Sequence, residues 1–114
     1  MAFKAQQSAH THSGDANLLE LPAEPTMKHK LSYVDVAGDL QGSAWNALLE
    51  IVDNDITVYQ VPVSFPVAGQ VLRIEFPEGG LISVMPNKVM KVRLTTGYGN
   101  RTSYLNIGYA TGLF

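Results

Sequence analysis

The sequence predicts an all-β fold: a small antiparallel β-sandwich or barrel, jelly-roll-like, with an extended N-terminal arm and at most one short helix. Three observations lead there. Short segments rich in β-branched and aromatic residues recur along the chain, separated by Gly, Pro and Asn turn signals. No helical patterns of about 10–15 residues lie between them, which argues against a parallel α/β sheet. The opening stretch MAFKAQQSAHTHSGDAN carries Phe3 as its one large apolar side chain, too little to fold by itself.

The elements follow in order. Residues 1–27 read as an arm and a hinge, in which Leu18, Leu19 and Leu21 form a short apolar patch. Pro22 and Pro25 then hold the chain extended. Residues 28–114 read as the β domain. Lys30–Val36 alternates and turns at Ala37-Gly38-Asp39. Ser43–Val52 fits a helix capped by Ser43, or a strand with Trp45, Ala47, Leu49 and Ile51 on one face; the strand-rich surroundings tilt it toward strand. Asp53-Asn54-Asp55 is a turn, and Ile56–Val61 is a strand. In Val71–Phe76, Leu72, Ile74 and Phe76 oppose Arg73 and Glu75. Strands follow at Leu81–Met85, Lys88–Thr96 and Ser103–Ala110, with a Gly97–Asn100 loop before the last.

At 114 residues and 12.4 kDa the chain is one domain's worth of protein. It has no Cys, so disulfides and thiolate metal sites are out. Net charge is −2 with no basic run, so no nucleic-acid partner is expected. No apolar stretch reaches the roughly 18 residues of a spanning helix, and the N-terminus lacks the apolar region of a secretory signal; no membrane role is expected. Charged residues make up only 16%, below the roughly 25% of ordinary soluble domains. That leaves either an uncharged polar surface or one covered by other subunits, since interface cores are poor in Lys, Glu and Asp.

Candidate chemistry is thin. His10 and His12 share one side of an extended segment, but a zinc site needs further ligands, and only His29 and Asp15 lie near in sequence. The calcium-loop pattern that Asp53-Asn54-Asp55 could begin fails at Thr57 and Val58. Asp35, Asp39, Glu50, Asp53 and Asp55 show no spacing that singles out a catalytic pair. Residues 30–114 hold neither His nor Cys, the commonest general base and a common nucleophile, so no enzyme, no metal and no cofactor are expected. Tyr98, Tyr104 and Tyr109, set among Gly and Asn106, have the composition of a contact or carbohydrate-stacking surface. Phe114 extends that candidate surface.

An arm at Met1–Asn17, a hinge at Leu18–Pro25 and a β domain from about Lys28 to Phe114 resemble, in layout, the capsid decoration (cement) proteins of tailed bacteriophages. The resemblance implies a non-enzymatic virion protein, made in the host cytoplasm and held on the capsid exterior. It would bind the major capsid protein and copies of itself, as a dimer or trimer. Phe3, Leu18, Leu19 and Leu21 would then anchor the arm on a partner. Two alternatives stand beside it: another phage structural subunit (tail, head-completion or fibre-base), or a carbohydrate- or peptide-binding β module.

Overall fold

A computed structural model describes residues 2–12, 16–37, 45–65, 71–77, 79–95 and 101–114. Nine strands are described: β1 (Ala2–His12), β2 (Ala16–Leu21), β3 (Lys28–Ala37), β4 (Trp45–Asp53), β5 (Ile56–Phe65), β6 (Val71–Glu75), β7 (Leu81–Ile82), β8 (Met90–Thr95) and β9 (Arg101–Gly112). Among the described residues there is no helix. One sheet runs β1-β9-β3-β6, with β7 also on β3, and the other runs β2-β8-β4-β5; every pairing is antiparallel. The chain crosses between the sheets at most connections, β4–β5 and β6–β7 excepted, and inward residues of both sheets share one core, so the two stack as a jelly-roll-like sandwich.

Alternation explains the core. On β3 buried and half-buried residues take turns, with one skipped beat at Ser32–Tyr33, where the register to β9 shifts. That bulge puts Leu31, Val34 and Val36 inside and Lys30, Tyr33 and Asp35 outside. Leu49 and Ile51 of β4, Met90, Val92 and Leu94 of β8, and Leu105 and Ile107 of β9 are fully buried in the same cluster. Each buries side-chain area that stabilises the fold by roughly 1.5–3 kcal/mol before entropy is counted. The Ser43–Val52 segment is therefore a strand from Trp45, and Ala47, Leu49 and Ile51 face inward as the strand alternative requires.

Two sequence expectations change. Residues 1–27 contribute strands to both sheets of the domain's own sandwich: β1 pairs with β9 from Ala2↔Thr111 to His12↔Arg101, and β2 pairs with β8 from Ala16↔Thr95 to Leu21↔Met90. A sheet edge satisfies main-chain groups whatever the side chains are, so a polar segment can be a strand. The expected strand Leu81–Met85 shortens to two residues. Ser83 still lies against His29, its N–H and hydroxyl both donating to the His29 carbonyl at 2.9 and 3.3 Å, and the chain bends from Val84 onward. Val84 N–H then donates to Asp53 Oδ2 at 3.0 Å. The Gly97–Asn100 loop and the turn at Gly38-Asp39 lie outside the described residues.

His29 ties this end together. It is 2% exposed; Nε2 donates to the Pro22 carbonyl at 2.7 Å, and Nδ1 lies 2.9 Å from Thr111 Oγ1. A carbonyl can only accept, so Nε2 carries the proton, and in the neutral ring Nδ1 accepts from the threonine hydroxyl. The histidine is thus a strut between the 22–27 connector and β9.

Candidate functional site

The outer faces of the two sheets differ. On the β2-β8-β4-β5 sheet, Arg93 meets Glu50 at 3.3 Å, Gln60 adds a bond to Glu50 at 3.4 Å, and Lys91 lies 3.8 Å from Glu20. These are cross-strand pairs on a solvated face, without an aromatic ring beside them among the described residues.

The outer face of the β9-β3-β6 part of the other sheet is built in three rows set by register. The first is Tyr104–Ala37–Val71, the second Asn106–Asp35–Arg73 and the third Gly108–Tyr33–Glu75. In the first row the small side chain of Ala37 lies between two larger neighbours, so the surface dips. A cavity of about 280 Å³ opens there, bordered by Asp35, Val36 and Ala37 of β3, Val71 of β6, and Tyr104, Leu105 and Asn106 of β9. That is near the low end of the roughly 300–1,000 Å³ range of small-molecule sites.

The second row is a preset polar array. Arg73 Nε donates to Asp35 Oδ1 at 2.7 Å and Nη2 donates to Oδ2 at 2.9 Å, a two-point fork. Asn106 Nδ2 adds a bond to Oδ2 at 3.2 Å. The Arg73 hydrogen bonds hold the Asp35 carboxyl below the usual carboxylate range, against the opposing pull of partial burial, with Asn106 helping. The array keeps unused capacity: the carboxylate has more lone-pair directions than these three donors fill, the guanidinium has further N–H groups, and the Asn106 amide oxygen can accept. Hydroxyl-rich ligands need such mixed donors and acceptors.

Two tyrosines flank the array. Tyr104 is 39% exposed beside the cavity. Tyr33 lies under the Arg73 guanidinium, 4.1 Å from carbon Cζ to ring centroid, and fills the space left by Gly108. That stacking, with the carboxylate fork, fixes the guanidinium plane.

No protein family matches the chain, and no curated protein sequence does. A solved structure does resemble it. That structure is described as "Carbohydrate-Binding Module CBM36 in complex with calcium and xylotriose", at 13% identity over 91% of this chain and 78% of that one, with a TM-score of 0.47.

The sequence-derived candidates distribute unevenly. Tyr104 lies at the cavity. Tyr109 is corrected from a contact residue to a core residue: it is 5% exposed, pointing inward with its ring edge-on to His29 at 6.3 Å. Phe114 lies along the face from the cavity, with Lys30 Nζ 4.8 Å from its ring centroid. Tyr98 is outside the described residues. Leu19 and Leu21 are corrected likewise; at 5% and 0% exposure they are spent in the core and have no surface for a partner. Leu18, on the opposite face of the same strand, stays 44% exposed. Phe3 occupies the β1 position opposite Ala110. Sequence reading missed Tyr33 and Arg73 as site residues. The alternation of Val71–Phe76 put Arg73 on the solvent side, but nothing local said that Asp35 would lie opposite.

Proposed function

We propose that this chain is a non-catalytic carbohydrate-binding β-sandwich, with the glycan lying across the outer face over Tyr104, Asp35, Arg73 and Asn106. One observation carries the reading: an exposed tyrosine ring next to a dip in the sheet, adjoining a prearranged carboxylate–guanidinium–amide row. The ring offers an apolar platform for the C–H face of a sugar, and the row supplies donors and acceptors for its hydroxyls. Rigid strands hold every group, so little side-chain entropy is lost on binding. Residues 30–114 contain no His and no Cys, and His29 is engaged as a strut, in keeping with binding without chemistry. The test is affinity electrophoresis against a panel of soluble polysaccharides. Wild type is retarded, while Tyr104→Ala and Asn106→Ala lose retardation with melting curves like wild type. Retardation that survives both substitutions defeats the proposal.

A second proposal keeps the virion role, on the capsid exterior, with the major capsid protein and further copies of this chain as partners. It is favoured by exposed apolar side chains at one end of the sandwich: Met27, Val84, Met85 and Leu113, the last 79% exposed. Under this reading the purified chain forms dimers or trimers through that end, and Val84→Asp with Leu113→Asp returns it to a monomer in sedimentation. A wild-type monomer at all accessible concentrations counts against it.

A further inference from the structure

Resting on the carbohydrate reading, we infer that this face selects neutral glycans presenting adjacent hydroxyls and rejects acidic ones. The arrangement of charge decides it. Arg73 is the cation nearest the cavity among the side chains described on this face, and its charge is already met by Asp35 at two points, 2.7 and 2.9 Å. Glu75 stands in the next row, opposite Tyr33, and acts on the same guanidinium. Among the described side chains of these rows, two carboxylates against one guanidinium leave one net negative charge. Lys30 lies on the same side of β3 but five residues from Asp35, about 16 Å along a strand. That exceeds the Debye length of about 10 Å at 0.1 M salt, and Lys30 is placed over Phe114.

Among the described side chains, a uronic or sulfated sugar entering the dip would therefore meet a carboxylate with no spare cation to offset it. It could accept from the open N–H groups of Arg73 only close to Asp35 and Glu75, whose negative charges oppose it, and taking the two bonded N–H groups would leave Asp35 without its main partner. A neutral sugar breaks nothing. One hydroxyl donates to the open side of Asp35 and accepts from a free Arg73 N–H, and its neighbour donates to the Asn106 amide oxygen. Each side chain supplies the half of the hydrogen bond that the other lacks, so the row reads a pair of adjacent hydroxyls rather than a charge.

The test compares neutral chains (glucan, xylan, mannan) with acidic ones (polygalacturonate, alginate) in affinity electrophoresis at low salt, where charge effects are largest. Wild type, Tyr104→Ala and Glu75→Gln are run side by side, each checked by thermal melt. The expected result is at least about tenfold tighter binding to a neutral chain than to any acidic one, equivalent to about 1.4 kcal/mol. That binding is lost in Tyr104→Ala, and the gap narrows severalfold in Glu75→Gln. If an acidic chain binds as well as the neutral ones and still needs Tyr104, the selectivity is overturned while the carbohydrate site stands. An unchanged gap in Glu75→Gln also overturns the electrostatic basis. If no chain is retarded, or retardation ignores Tyr104, the site itself fails and the selectivity with it.

Discussion

One added methyl group at Gly108 tests how the binding face is built. Gly108 is the register partner of Tyr33, and the tyrosine ring occupies the space where a side chain would stand. A Cβ there would lie 2.5 Å from Tyr33 Cζ and 2.7 Å from Cδ2, with Cε2 closer still. Carbon pairs pack best at about 3.5–4.0 Å. The ring cannot simply swing away, because the Arg73 guanidinium is stacked on it and tied in turn to Asp35. Overpacking of this kind costs about 1–3 kcal/mol. Replacing glycine in a strand returns about 0.5–1 kcal/mol of backbone entropy. Gly108→Ala should therefore lose about 1.25 kcal/mol net at the middle of a range of about 0–2.5 kcal/mol. With an unfolding entropy of about 2.1 cal/mol/K per residue, the 114-residue chain then melts about 5 °C lower. The assay is a double-mutant cycle by urea denaturation and calorimetry. With the ring removed in Tyr33→Ala, Gly108→Ala should become neutral or slightly stabilising. A cost above about 1 kcal/mol in both backgrounds would refute the steric account, since the penalty could not then come from the ring.

Further outcomes follow from the same contacts. Deleting residues 1–21 removes β1 and β2, strips β9 and β8 of a neighbour and opens the holes left by Leu19 and Leu21; the truncated chain should fail to fold by circular dichroism. In the intact monomer, amides within β1 should be protected from hydrogen exchange; free exchange there would show that β1 is not held by β9. Asp35 is the pH-sensitive group of the face. Its folded-state pKa is depressed, so its stabilising contribution is present above the ordinary aspartate value of about 3.9 and is lost as pH falls through the lower folded value. The stability gap between wild type and Asp35→Asn, read by urea titration, should shrink below about pH 4; a gap that widens on acidification would reverse the sign assigned here.

Alternation in the sequence was enough to place most of the sandwich. Leu72, Ile74 and Phe76 pack on the core, and Met90, Val92 and Leu94 vanish into it, because a strand with one buried face must repeat every two residues. Pairing was not legible. Period two says which way a side chain points but not which strand lies beside it, so Asp35 and Arg73, 38 positions apart, gave no local sign of their fork. The composition of MAFKAQQSAHTH cannot form a core and so predicts an arm, whereas β1 is held along a sheet edge by main-chain pairing with β9. Proximity in the sequence groups Leu19 and Leu21 with Leu18 as surface anchors. The alternation within β2 separates them, but that strand is short and runs into Pro22, so composition alone predicts a hinge. Among the tyrosines, Tyr104 and Tyr109 differ by one odd step on β9, which sends one to solvent and the other inside.

The pairing of β1 with β9 also governs the order of events during folding. β9 stands between β1 and β3 and supplies a neighbour to both, yet it follows every other strand in the chain. Until residues 101–112 are present, the first sheet has no centre, and β1 has nowhere to dock. Hairpin β4–β5 can close early across its tight turn at Asn54–Asp55, but the first sheet can only assemble late, by joining the two most distant strands. Topologies dominated by such distant pairings fold slowly, in roughly milliseconds to seconds. In that interval the long strands β1 and β3 carry open edges, so the waiting chain is most exposed to aggregation just before its last strand arrives.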